Sequence, residues 1–125
     1  MNERNKILVI DDDPDFCFFC ETVLEARGHR VVSSNSGREG IATFRAERPN
    51  LVILDLMMEE EDTGFQVARE ITRANGSPPI LMVTSMPKRV KERRDLSVAG
   101  LLAKPIRPEE LAKKVDELLA PGGGA

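Results

Sequence analysis

Four short apolar runs, none alternating with polar residues, constrain this chain more than any other feature: Ile7-Leu8-Val9-Ile10, Leu51-Val52-Ile53-Leu54, Ile80-Leu81-Met82-Val83 and Leu101-Leu102-Ala103. A strand with one wet face shows a period of two. A strand covered on both faces is apolar throughout, which is the mark of a parallel sheet held between helical layers. A weaker pair, Val31-Val32, follows Gly28-His29-Arg30 and reads as a shorter edge strand.

Helices are expected in the intervals. The first has Asp13 as N-cap and Pro14 at its first position. Phe16, Phe19, Cys20, Val23 and Leu24 recur at the spacing of one buried helical face, which leaves Cys17 and Phe18 off the core side, and Gly28 supplies the stop. The second runs from about Gly37 to Glu47, burying Ile41 and Phe44, before Pro49 blocks its continuation. A third carries Val67, Ala68 and Ile71 and ends near Asn75-Gly76; the fourth, Lys88 to Asp95, has only Val90 as anchor. The last follows Arg107-Pro108, with Leu111, Val115, Leu118 and Leu119 as its stripe. Five strands alternating with five helices predict an α/β fold, a doubly wound (βα)5 parallel sheet. At 125 residues this is one domain, residues 1–120, with Pro121-Gly122-Gly123-Gly124-Ala125 (121–125) as a flexible tail or linker stub.

Composition excludes several classes. Apolar residues are 41%, charged residues 31% and the net charge is −3, so nothing argues for direct nucleic-acid contact or an anionic membrane. No apolar run approaches the ~20 residues of a membrane span, and the polar start Met-Asn-Glu-Arg-Asn-Lys has no signal-peptide pattern, so the expected location is cytoplasmic. Cys17 and Cys20 form a C-x-x-C, but a zinc site takes about four ligands and the sole histidine is His29, so both read as helix residues with Cys20 in the core.

In an open parallel sheet, ligands gather beyond the carboxyl ends of the strands. The first run here ends in Asp11-Asp12-Asp13, the third in Asp55, the fourth in Thr84-Ser85 and the last in Lys104-Pro105. Helix capping accounts for Asp13 and Asp15. It does not account for Asp55 at the end of a buried strand. Carboxylates held close repel unless a cation or proton lies between them, and a hard ion such as magnesium suits oxygen ligands. Magnesium, a lysine and a hydroxyl are the parts that stabilise a transferring phosphoryl group, and a carboxylate can be its acceptor. No Gly-x-Gly-x-x-Gly or Gly-Lys-Ser/Thr loop follows the first run, and no serine sits in a nucleophile-elbow context.

At this point Ile-Leu-Val-Ile-Asp11-Asp12-Asp13, Ile-Leu-Asp55-Leu-Met-Met, Met-Val-Thr84-Ser and Ala-Lys104-Pro105 together resemble the signatures of response-regulator receiver domains, over residues 6 to about 119. The resemblance implies a flavodoxin-like sheet of order 2-1-3-4-5. It implies Asp55 as phosphoacceptor from a histidine kinase or histidine phosphotransfer protein, and Mg2+ held by Asp11, Asp12, Asp55 and the backbone carbonyl of Met57. It further implies Lys104 and Thr84 on the phosphoryl oxygens, a cis Lys104–Pro105 bond, and an unknown downstream protein as reader.

The chain departs from the family pattern in three places. Leu101 stands where the family has an aromatic switch residue, so coupling would run through backbone and loop shifts. The loop Glu59-Glu60-Glu61-Asp62 lacks the usual proline, carries an insertion before Gly64 and is strongly acidic, which reads as a solvated turn or an aid to cation capture. The stretch from Thr84 to Lys104 is shorter than usual, so the fourth helix should be short or irregular.

Met57 and Met86 take the positions that flank attacking water in the family. A thioether orients water poorly, which predicts slow self-dephosphorylation. Phe18 with Cys17 offers either an apolar patch for a helix-bundle partner or a half-buried side chain. The basic run Lys88-Arg89-Val90-Lys91-Glu92-Arg93-Arg94 lacks aromatic interleaving and reads as a solvated helix face, with docking of an acidic protein second. Two other functions fit less well. A magnesium-dependent phosphatase-like or nuclease enzyme needs an acid or base near the nucleophile, where Leu56 and Met57 stand instead. A receiver that only binds partners would not need every phosphorylation residue. The expected form is a stand-alone receiver acting by contact with another protein; the alternative, which the glycine-rich tail permits, is a fragment of a larger transcription factor or hybrid kinase.

Overall fold

Backbone pairing in the computed structural model joins five strands, all parallel, in the order β2-β1-β3-β4-β5. They are β1 (Lys6–Ile10), β2 (Arg30–Ser34), β3 (Leu51–Asp55), β4 (Ile80–Thr84) and β5 (Gly100–Ala103). The structure describes residues 5–56, 58, 63–91 and 98–120. Every residue of β3 and β4 is buried, as their unbroken apolar runs require, whereas β2 at the edge is buried only at Ser34. Side chains alternate across the sheet and divide the core in two. Ile7, Val9, Leu51, Ile53, Leu81 and Val83 face one layer, and Leu8, Ile10, Val52, Leu54, Ile80 and Met82 face the other.

The first layer is closed by α1 (Pro14–Glu25) and α5 (Pro108–Leu119). Asp13 caps α1, its side chain accepting the Asp15 N–H at 2.9 Å, and Pro14 opens the helix. The buried positions of α1 are Cys17, Cys20 and Leu24, while Phe16, Phe19 and Val23 lie half-buried at the margin. The helix is thus rotated from the expected face, which had left Cys17 outside. Its thiol instead reaches the Asp11 carbonyl at 3.5 Å, because a small side chain lets α1 approach the end of β1 while the bulkier rings sit to the side. Burial pushes the Cys17 thiol up to about 11, and that of Cys20 higher still. In α5 the buried stripe is Leu111, Ala112, Val115 and Leu118, with Leu119 half-buried.

The second layer is closed by α2 (Gly37–Glu47), α3 (Thr63–Arg73) and the short α4 (Pro87–Lys91). Ile41 and Phe44 are only half-buried. The physical reason is proximity: at Gly40 an added Cβ would lie 2.7 Å from Ile10, so α2 rides too close to the sheet for large side chains to point straight in. Helix α3 buries Phe65, Val67, Ala68 and Ile71, and α4 is anchored by Val90. The expected extension of the fourth helix to Asp95, the acidic loop Glu59–Asp62, Met57 and the tail at 121–125 lie outside the described residues.

Two packing details give measurable consequences. Gly64, in the first turn of α3, has no room for a side chain: a Cβ would come within 2.3 Å of the Leu56 carbonyl and 2.7 Å of that of Asp55. Both are backbone atoms at the end of β3 and cannot swing aside. Gly64→Ala is therefore expected to destabilise the domain by about 1–3 kcal/mol, the usual range for overpacking, read as a lower urea midpoint with an unchanged slope.

His29, just past the end of α1, is buried, and its Nε2 lies 3.9 Å from Asp116 Oδ1 of α5, a carboxylate that Arg27 also pairs. Burial lowers the imidazole from its ordinary value of 6.5; Asp116 opposes the shift and Arg27 adds to it. An imidazole with a lowered folded pKa stabilises the fold above its unfolded pKa, and that contribution is lost as pH falls. The wild type should therefore lose more stability between pH 7.5 and 5.5 than His29→Gln, in urea titrations of the two proteins; equal losses would contradict the assignment.

Candidate functional site

Strand register builds the site. Ile10 of β1 pairs Leu54 of β3, so Asp11 and Asp55, each one residue further on, arrive side by side. The sheet order reverses between these strands, because β2 lies outside β1 and the chain then crosses to β3, which opens a crevice at their carboxyl ends. Thr84 pairs Ala103, which puts Lys104 next in line, and the Lys104 N–H donates to the Thr84 carbonyl at 2.8 Å.

Asp11 is fully buried and held from every side. Its Oδ1 accepts the Asp13 N–H at 2.9 Å, and its Oδ2 accepts from Lys104 Nζ at 2.9 Å. Its carbonyl accepts from Asn35 Nδ2 at 3.2 Å and from the Cys17 thiol. Burial raises the Asp11 carboxyl above its ordinary range, and the Asp13 N–H and Lys104 offset part of the rise. Asp55 is 5% exposed and its Oδ2 lies 3.7 Å from Lys104 Nζ, while neighbouring Asp12 is open to solvent. One oxygen from each of Asp11, Asp12 and Asp55 falls within a common span of 4.8 Å.

For Lys104, burial works against the charged form, but hydrogen bonding and charge from Asp11, then the charges of Asp55 and Asp13, outweigh it, and the net shift is upward. One ammonium among three carboxylates leaves an excess of negative charge in a poorly solvated corner. The donors are all carboxylate oxygens, with a gap between them, so the residues fit a small hard divalent cation better than a soft one.

Thr84 is fully buried, and its Oγ1 accepts the Met86 N–H at 2.9 Å, which ties the hydroxyl into its own loop. The Lys104–Pro105 bond is cis. Met86 is 46% exposed beside this loop. Leu101 is half-buried in the second core layer. Of the basic run, Arg89 lies 5.9 Å over the Phe65 ring, and Glu92, Arg93 and Arg94 are outside the described residues.

Two contributors had no role in the site from sequence alone. Asn35, between β2 and α2, braces the Asp11 backbone, and Phe16 places its ring 4.3 Å from Lys104 Nζ. Neither partner pair is close in the chain. No spacing rule could have joined them, although Phe16 was visible as an aromatic on the first turns of the helix after the acidic triplet.

A cavity of about 640 Å³ near Arg48, Pro49 and Gly76 is at the far end of the sheet, away from the carboxylates. A smaller one of about 470 Å³ opens directly beside the site, between Phe16, Phe19, Ser85, Lys104, Pro105 and Ile106. Among the described residues no helix is long and apolar enough to cross a membrane.

Comparison with known proteins agrees with this arrangement. The family described as response regulator receiver domain matches residues 7–116. A probable transcriptional regulator, ycf27, of Porphyridium aerugineum is 37% identical over 120 residues, covering 94% of this chain and 49% of the relative. The chain likewise spans about half the length of the ycf27 proteins of Pyropia yezoensis and Porphyra purpurea. PilH of Pseudomonas aeruginosa is 29% identical over 119 residues, covering 92% of this chain and 98% of PilH. The chemotaxis response regulator CheY4 of Vibrio cholerae superposes with a TM-score of 0.84 at 27% identity, over 94% of this chain and all of CheY4. With the sheet order and strand-end residues in place, the chain belongs to the response regulator receiver domain family, a signalling family of two-component systems rather than a class of conventional enzymes.

Proposed function

We propose that this domain is a phosphorylation switch in which Asp55 accepts a phosphoryl group from a phosphohistidine donor, either a histidine kinase or a histidine phosphotransfer protein. The observation that carries this reading is the meeting of three carboxylates within 4.8 Å with one lysine at 2.9 and 3.7 Å from two of them. Asp11, Asp12 and Asp55 are the residues that would hold Mg2+, with the Met57 carbonyl added by the family resemblance. Bound there, the ion would offset the carboxylate charge and that of the incoming phosphoryl oxygens.

In the proposed step, an Asp55 carboxylate oxygen attacks phosphorus. The donor's P–N bond breaks, and its electron pair stays on the imidazole nitrogen. Lys104 neutralises charge on the transferred group, drawing on the same ammonium that now bonds Asp11. The Thr84 hydroxyl, whose oxygen accepts the Met86 N–H, donates its hydrogen to a phosphoryl oxygen, and the loop behind it moves with it. The added group carries about −1.5 to −2 charges. Such a change biases two loop arrangements, and the reader is another protein or a further segment of a longer chain. Phe18, in the first half of α1 and 68% exposed, supports an apolar docking contact with the donor. The proposed setting of the exchange is the cytoplasm.

A competing hydrolytic role would need a general acid or base next to Asp55. The side chain that follows it, Leu56, is instead fully buried in the core. Incubation with acetyl phosphate and Mg2+ should add one HPO3 to the wild type and none to Asp55→Ala, by intact mass, and chelation should suppress the reaction. Turnover of a phosphoester without a stable adduct would contradict the proposal. The phosphorylated form should also be long-lived, with Met57→Asn losing its phosphoryl group faster than the wild type; an unchanged or slower loss would remove the argument from the two methionines.

A further inference from the structure

We infer that Phe16 is a positioning residue for Lys104, its ring face holding the ammonium between Asp11 and Asp55. The inference rests on the reading of Asp55 and Lys104 given above. Lys104 Nζ lies 4.3 Å from the Phe16 centroid, 2.9 Å from Asp11 Oδ2 and 3.7 Å from Asp55 Oδ2. An ammonium has three donors and no fixed plane. The two carboxylates take its inward side, and the ring covers another side of a head group whose side chain is 24% exposed. Within about 6 Å the negative face of an aromatic ring attracts a cation, more strongly as water is removed.

The ring is itself held. Phe16 packs against the α1/α5 core layer and meets Phe19 at a centroid distance of 6.0 Å, tilted by 34°. Its neighbours Pro105 and Ile106 share the wall of the cavity beside the lysine. The ring face therefore stays turned toward Nζ.

A ring face suits this position better than a polar group would. On phosphorylation Lys104 must shift its short contact from Asp11 toward oxygens added at Asp55. A hydrogen-bond acceptor at position 16 would compete with those oxygens. A ring attracts the ammonium without selecting a direction, so the lysine can slide between partners while one side stays dry. The aromatic that the family carries at Leu101 is absent, and Leu101 packs into the opposite core layer. Phe16 is thus a ring that touches the site, and it acts on the lysine directly rather than through a rotamer change.

Replacing Phe16 with mono-, tri- and pentafluorophenylalanine keeps ring shape nearly constant while removing and then reversing the charge on its face. The rate of Asp55 phosphorylation by acetyl phosphate with Mg2+ should fall stepwise along the series, by about three- to tenfold in total. Phe16→Leu, which has no charged ring face, should fall to the level of the trifluoro protein, and Phe16→Tyr should recover the rate. Independently, the Lys104 ε-methylene protons should show an upfield ring-current shift by NMR in the unphosphorylated protein, lost in Phe16→Leu. A flat rate across the series, a Tyr variant as slow as the Leu variant, or unshifted ε-protons would overturn the inference. A wild type that accepts no phosphoryl group would overturn the reading of the site instead, and the NMR shift would still decide whether the ring holds the lysine.

Discussion

Asp11 and Lys104 form the contact on which the rest of the site depends. A carboxylate with no solvent exposure is costly to bury, and here the cost is offset by a lysine at 2.9 Å and a backbone N–H at 2.9 Å. Because each oxygen of Asp11 is already engaged, its side chain has little freedom, and the lysine it holds is thereby fixed near Asp55. The remaining imbalance, two further carboxylates without an equal number of cations, leaves the corner with an excess of negative charge.

The sheet makes that corner without special pleading from the loops. Parallel pairing of β1 with β3 fixes Asp11 beside Asp55, and pairing of β4 with β5 fixes Lys104 one step beyond Thr84. Asp11 and Lys104 stand at the first position past their strands, and Asp55 and Thr84 at the last position within theirs, where the backbone is still held by the ladder. The close seating of Gly64 on the Asp55 and Leu56 carbonyls then determines how the chain leaves β3.

Much of this could be read from the residues in order. The strands announced themselves because burial on both faces leaves uninterrupted apolar runs, and the strand-end acids and lysine followed from where those runs stop. Helix orientation was less legible. In α1 the choice between Phe16 and Cys17 as the inward residue depends on how close the helix lies to the sheet, and hydrophobicity favoured the larger side chain. In α2 the inward positions proved to be Gly37 and Gly40, which no apolar count would select. The contacts of Asn35 with Asp11 and of Phe16 with Lys104 join elements distant in the chain, so periodicity carries no trace of them.

The division of the core into two layers has a consequence for how such a domain can change over evolutionary time. Among the described residues the buried apolar side chains fall into two separate clusters, one on each side of the sheet. Substitutions in the α1/α5 layer and in the α2/α3/α4 layer should then combine additively. One flank can change its surface while the other stays as it is, with neither repacking the other. Only the few residues at the strand tips, which belong to both flanks, are bound to a common history.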